Sequence, residues 1–357
     1  MNEFNSDKKP KFSPPTGGKL EGAVIRWGII GVGNVTELKS GPAFYKAEKS
    51  ELVAVMRRNT KKAEDYAKRH NVPKWYSNAS ELINDPEVDA VYVATPPGSH
   101  ARYAIEVMRA GKPVYVEKPM AKNYAECKEM LKVSDETGMP LFVAYYRRAL
   151  PAFLKVKEMI ETGAIGKPLL VNIKLHKAPR ANDLKKEEQS WHVHPEISGG
   201  GYFFDLASHQ FDYLDFLFGK ITEVSGIATN NAGLYPAEDT VVGTWKHKSG
   251  ITGSGSWCFV ADKSSETDEI VITGTKGEIV LPCFTHENVK FTSKEGVIEM
   301  GFDNPEHIQQ NLVQQMVNEL RGEGKCASTG VSAARTSWVL DEMVKGYYGD
   351  YVVIGGD

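Results

Sequence analysis

The stretch "AVIRWGIIGVGNVT" (23–36) decides the fold. An apolar run ends in Gly31 and Gly33, and helical periodicity begins directly after them. A strand that empties into Gly-x-Gly at a helix start is the context of a dinucleotide fingerprint. Gly31 permits the tight turn, Gly33 lets backbone approach a pyrophosphate, and the helix start at Asn34 and Val35 attracts its charge. The third glycine is absent because Thr36 stands in its place, so a looser helix–strand contact is expected there. An ordinary glycine turn is the competing reading.

Outward from this stretch the hydrophobic period switches between 2 and 3.6, as βαβ units require. Strands are expected at 51–56, 88–95, 113–117 and 140–146, with helices between them at 60–70, 101–111 and 123–137. Thr60 is expected to cap the first of these helices. Short apolar strands separated by helices imply an α/β fold with a parallel, doubly wound sheet, and such sheets bind ligands off the carboxyl ends of their strands.

Three further strand ends carry unusual residues. "VMRRN" (55–59) places Arg57 and Arg58 where an NAD-type fold usually offers a carboxylate to the ribose. A guanidinium suits a 2′-phosphate, which favours NADP with NAD as the alternative; solvated surface arginines, with Asn59 on the ribose, are the bland reading. "TPPGSH" (95–100) is a stiff loop in which Thr95, Pro96 and His100 either border the nicotinamide half of the cofactor or merely make a turn. "VYVEKP" (114–119) closes a buried strand with Glu117 and Lys118 in front of Pro119. With a nicotinamide across these ends, Lys118 projects beside its reactive face, while Glu117 is buried near the cofactor or pairs with a nearby cation.

Beyond residue 150 the rhythm changes. Strand signals recur from 168 and from 221 to 301, about every ten residues, and predict a large, mostly antiparallel open sheet. Helices at 305–322 and 331–346 close the chain, against that sheet or back on the first domain. The division is a first domain over 23–146 and an α+β substrate-binding domain over 147–357. The open face of the second sheet is expected to form a homodimer or homotetramer. Between these elements, "SGGGYFFDLASHQFDYLDFLFGK" (198–220) sets Asp205 and His209 four apart on one helix face, a spacing that suits a proton-transfer pair. A satisfied core histidine and an exposed aspartate are the alternative. His192 and His194 in "WHVHP" lack further ligands at supportive spacing, so no metal is expected.

Hydrophobic residues are 41% and charged residues 25% of the 357, a water-soluble balance, and the net charge of −3 leaves no footprint for nucleic acid. Cys127, Cys258, Cys283 and Cys326 are far apart and form no CxxC pair. No window is apolar enough for a membrane span, and the polar, Pro/Gly-rich residues 1–22 read as a disordered tail or an arm, not a signal peptide. A cytoplasmic protein is expected.

The Gly-x-Gly turn, the TPPxxH loop, the EKP tripeptide and GGGxxxDxxxH together resemble the glucose–fructose oxidoreductase/inositol dehydrogenase (Gfo/Idh/MocA) family. The likeness runs from residue 24 to about 345 in order, and "AEDTVVGTW" (237–245) is similar to an acidic strand start of the family's second domain. The resemblance implies a Rossmann domain, an open α+β domain, and a nicotinamide at their junction. It implies oxidation or reduction of a secondary alcohol or aldehyde carbon in a sugar, inositol or related polyol. The family's lysine, aspartate and histidine fall on Lys118, Asp205 and His209. "YYRRALP" matches the start of its substrate domain and makes Tyr145, Tyr146, Arg147 and Arg148 candidate pocket residues.

On that footing His209 is expected to accept the hydroxyl proton, oriented by Asp205, while the Lys118 ammonium holds the reacting oxygen; the reverse assignment stays open. A cis peptide before Pro119 is expected, and Trp191 with His192 would form an aromatic wall for a sugar ring or only a packed loop. The rival functions are an NAD-dependent glycoside hydrolase of the same fold and a non-catalytic NADP-sensing protein.

Overall fold

A computed structural model describes residues 23–285 and 287–349, so the tail read over 1–22 lies outside the described residues. Six parallel strands form the first sheet: β1 (Ile25–Ile30), β2 (Ser50–Met56), β3 (Lys74–Tyr76), β4 (Ala90–Val93), β5 (Val114–Val116) and β6 (Leu141–Val143). Their order is β3-β2-β1-β4-β5-β6. Winding reverses between β1 and β4, which opens the ligand crevice beside the ends of those two strands. Every residue of β4 and β5 is buried, as a strand covered on both faces must be. β3 has no counterpart in the sequence reading: none of its three residues is buried, so it lacks the apolar run that marks the equally short β5 and β6.

The second sheet holds β7 (Pro168–His176), β8 (Ile221–Thr229), β9 (Thr240–His247), β10 (Thr252–Cys258), β11 (Thr267–Gly274), β12 (Gly277–Leu281), β13 (Val289–Ser293) and β14 (Gly296–Met300). It runs β14-β13-β12-β11-β7-β10-β9-β8, antiparallel except where β7 lies parallel to β10. Strict alternation in β9 buries Val241 and Trp245 on one face and leaves Val242 exposed on the other. The buried face packs Trp245 and Trp257 against Phe203 and Phe211 of the helix Tyr202–Phe218.

Two terminal helices tie the domains together. Helix Gln310–Leu320 lays Leu312, Val313, Met316 and Val317 into the core of the first sheet, beside Trp27, Phe44 and Tyr115. Helix Gly330–Tyr348 is shared: Ala333 and Ala334 belong to the first core, Leu340, Met343 and Val344 to the second. Asn59, not Thr60, caps Thr60–Arg69, its side chain accepting the Lys62 N–H at 3.1 Å.

The backbones of the two domains meet at Gly199, where φ is +89° and an added Cβ would stand 2.1 Å from the Lys122 carbonyl oxygen. Only glycine meets both demands. Gly199→Ala is therefore expected to force the loop after Pro119 away from residues 199–201. A stability loss of about 1–3 kcal/mol in urea titration, together with a fall in activity, is the expected result.

Candidate active site

The carboxyl ends of β1, β4 and β5 face the start of helix Tyr202–Phe218. At β1, Gly31 has φ +96°, and a Cβ there would lie 2.7 Å from Thr95 Cγ2, so the turn admits glycine alone. In front of Gly33 the space is open, since a Cβ would meet only the Gly31 carbonyl at 3.9 Å. Asn34 and Val35 are exposed, and first-turn N–H groups have no partner within their own helix. Thr36 is fully buried, and its hydroxyl folds back to take the Gly33 N–H at 2.9 Å, doing the work of a helix cap. An open glycine cradle with free N–H groups behind it fits the pyrophosphate of a dinucleotide. At the end of β2, Arg57 is partly exposed and Arg58 exposed, and neither side chain has an ion-pair partner among the described residues.

At β4, Pro96 is exposed at the strand end, but His100 is fully buried. Its ring nitrogens lie 3.0 Å from the Pro119 oxygen and 2.6 Å from the Thr95 oxygen. His100 is thus a strut between two strand ends, with both ring nitrogens turned to backbone oxygens. Glu117 is buried, as expected, and is engaged within the fold. Its carboxylate turns into the first core, where it accepts from the Tyr92 hydroxyl, from Gln309 Nε2 at 2.6 Å and from the Lys118 N–H at 3.1 Å.

The Lys118–Pro119 peptide is cis. Lys118 Nζ crosses to the second domain, donating to the Asp205 carboxylate and, at 2.9 Å, to the Asp205 carbonyl oxygen. Burial would raise the Asp205 pKa; the Lys118 ammonium, helped by His192 and Arg180, outweighs it and brings the group down to about 2. The expected Asp205–His209 pair is therefore not made. Helical spacing lets the two meet, but a full ammonium attracts the carboxylate more strongly than a neutral imidazole does.

His209 is nearly buried, edge-on to Tyr146 at 5.2 Å and to Phe284 at 5.9 Å between ring centres, and its Nδ1 has no hydrogen-bond partner. Burial first, then the charges of Arg147 and Lys118, hold its pKa well below the usual 6.5. Tyr146, Arg147 and Phe284 line a cavity of about 340 Å³, and His209 packs on the Tyr146 and Phe284 rings without lining it. Tyr145 is fully buried, and Arg148 is sunk in a pair with Asp212 at 2.7 Å, so both serve the fold and not the pocket. Trp191 stacks on His192 with ring centres 3.7 Å apart, and His192 Nε2 lies 3.9 Å from the Asp205 carboxylate. His194 turns away toward Glu196 at 3.5 Å, and no cluster of three or more metal-ligating side chains occurs among the described residues.

Residues 25–145 match the model of the oxidoreductase family with the NAD-binding Rossmann fold (Gfo/Idh/MocA), and residues 153–280 match the Gfo/Idh/MocA C-terminal domain. The chain belongs to the Gfo/Idh/MocA oxidoreductases. An oxidoreductase of Formosa agariphila is 40% identical over 89% of this chain and 97% of its own length. The 1,5-anhydro-D-fructose reductase of Ensifer adhaerens is 27% identical over 85% of this chain and 91% of its own. Levoglucosan dehydrogenase in complex with NADH and levoglucosan shares the fold, with a TM-score of 0.79 at 22% identity over 90% of this chain and 96% of that one.

Sequence reasoning missed two residues of this Gfo/Idh/MocA site. Arg180 lies in a stretch with no period, and its guanidinium reaches within 4.0 Å of Asp205 only through the fold. Glu238 was legible as the acidic start of β9, but its task was not. Fully buried, it accepts the Gly201 N–H at 2.8 and 2.9 Å and the Tyr348 hydroxyl at 2.5 Å, pinning the start of the helix that carries Asp205 and His209.

Burial pushes Glu238 up to about 7 against the Tyr348 and Gly201 donors that hold it down. The folded chain then binds this proton more tightly than the unfolded one. The stability Glu238 contributes is fully present below the unfolded value and is lost as pH rises to about 7. Glu238→Gln cannot ionise. Its urea stability relative to wild type is expected to improve by about 1–3 kcal/mol between about pH 5 and about pH 8. A constant difference would show that Glu238 does not titrate in the folded state.

Proposed function

We propose that this protein transfers hydride between a nicotinamide dinucleotide and a secondary alcohol or carbonyl carbon of a sugar, inositol or related polyol. The observation that carries the reading is the Lys118–Asp205 contact, which brings an ammonium from the cofactor domain onto the helix that also bears His209. Gly31, Gly33, Asn34 and Val35 would hold the pyrophosphate, and Arg57 and Arg58 would meet the adenosine end. The two unpaired arginines favour NADP over NAD. When bound, the cofactor supplies the hydride acceptor or donor.

The residues of the chain do the rest. Lys118, held in place by Asp205, donates to the reacting oxygen. His209, kept neutral by burial and by Arg147, is free to take the hydroxyl proton. Tyr146, Arg147, Trp191 and His192 stand around this point as substrate-facing side chains. The relative named for 1,5-anhydro-D-fructose supports a sugar substrate. Ile227 and Val242, paired across β8 and β9 and both exposed, mark the sheet face on which a homodimer or homotetramer would form.

Absorbance at the nicotinamide band, with a panel of sugars and polyols run separately with NAD and NADP, tests the reading. Turnover with at least one substrate is expected, faster with NADP. Lys118→Ala and His209→Ala should each lower kcat by ~10²–10⁴. Because the His209 pKa is held below 6.5, kcat/KM should stay level down to that pH and fall only beneath it. Full activity in both variants would overturn the mechanism.

A further inference from the structure

We infer that Arg180 forms a carboxylate subsite, so that the preferred substrates are polyhydroxy acids, such as sugar acids, and not neutral polyols. This inference rests on the oxidoreductase reading above and narrows its substrate class.

Three contacts fix the position of Arg180. Its guanidinium lies 4.1 Å from the centre of the Tyr202 ring, which holds the plane of the cation. The Tyr202 hydroxyl in turn donates to the buried Asp183 at 2.7 Å, and the same carboxylate takes the Arg180 backbone N–H at 2.8 Å. Ring and backbone are thus anchored to one buried acid, which leaves the guanidinium little freedom to wander.

Its donors, however, are uncommitted. The nearest carboxylate oxygen, on Asp205, lies at 4.0 Å, beyond hydrogen-bond reach, and the side chain remains 46% exposed. The guanidinium makes no hydrogen bond among the described residues. The two acids nearby are already engaged: Asp205 with Lys118, Asp183 with Tyr202. The buried Arg147 donates to the Cys283 carbonyl at 2.9 and 2.7 Å and, among the described residues, has no carboxylate partner and no acceptor for Nη1. Three cations, Lys118, Arg147 and Arg180, thus stand against two carboxylates, Asp183 and Asp205, in a chain whose net charge is −3. A planar fork, pre-oriented by stacking and short of an acceptor, matches the two oxygens of a carboxylate. A neutral hydroxyl would use one of its donors and leave the charge uncompensated.

The test compares matched pairs that differ only in the terminal group, glucose with glucuronate and galactose with galacturonate, using wild type, Arg180→Gln and Arg180→Lys. Reduction of the nicotinamide gives kcat/KM, and calorimetry gives the Kd of each acid and each sugar. Wild type should prefer the acid, and Arg180→Gln should shrink the acid-to-sugar ratio by about 10- to 100-fold, chiefly through KM and Kd, with Arg180→Lys between them. Thermal unfolding confirms that each variant is folded. Equal use of acid and sugar by wild type, or an unchanged ratio in folded Arg180→Gln, would overturn the carboxylate subsite alone. No turnover or binding of either member of any pair would overturn the sugar reading beneath it, and this subsite with it.

Discussion

The contact on which the site depends is the ion pair between Lys118, at the end of a Rossmann strand, and Asp205, in the first turn of a helix of the other domain. Both side chains are mostly buried, with 14% and 18% of their surface exposed. Taking two charges out of water is costly, and their attraction repays the cost only if the geometry is held. Losing one partner of such a pair leaves the other charge buried and uncompensated, at about 3–5 kcal/mol. The cost falls on the loss of either partner within the closed junction, so the two side chains depend on each other where the domains meet.

Much of the surrounding structure can be understood as restraint on the two backbones that carry the pair. On the lysine side, His100 spans the Thr95 and Pro119 carbonyls, and Glu117 is moored to Tyr92 and Gln309. Gln309 also accepts from Tyr115 at 2.8 Å, so a residue from the C-terminal part of the chain braces the tripeptide from behind. On the aspartate side, Glu238 grips Gly201 and is itself gripped by Tyr348. Gly199 lets the two restrained segments come within backbone contact. Each restraint is polar and buried, which makes it strong only while every member is satisfied.

The fold was legible because its signals are repetitive. Periodicity over six to ten residues, glycine turns and strand-like runs located the strands of both sheets except β3, which has no buried residue to mark it. The site was legible where a residue type is locally conspicuous: Lys118 before a proline, Asp205 and His209 at helical spacing, Gly31 after a strand. Partnership was not legible. Spacing of four suggested that Asp205 serves His209, yet its carboxylate is claimed by a lysine 87 positions earlier in the chain. His100 and Glu117 looked like strand-end ligands because of where they stand, and only the fold shows that their polar atoms turn inward. Arg180 left no trace in the sequence, since its place depends on the ring of Tyr202 and the buried Asp183.

The observed partnership gives Lys118 and His209 different surroundings from the expected one. Had Asp205 paired with His209, the carboxylate would have raised the basicity of the imidazole; without it the ring stays neutral and is the weaker base. Instead the negative charge is spent on Lys118, which fixes a charge-assisted donor in place. One helical turn on, His209 has only aromatic rings beside it and the unpaired cation of Arg147, itself set over Phe284 at 4.6 Å and Tyr146 at 5.1 Å. Like charge and a dry cage both disfavour protonation. One helix face thus presents an ammonium held by Asp205 and, a turn further on, a neutral imidazole, and the contrast is set by which cation Asp205 neutralises and which it does not.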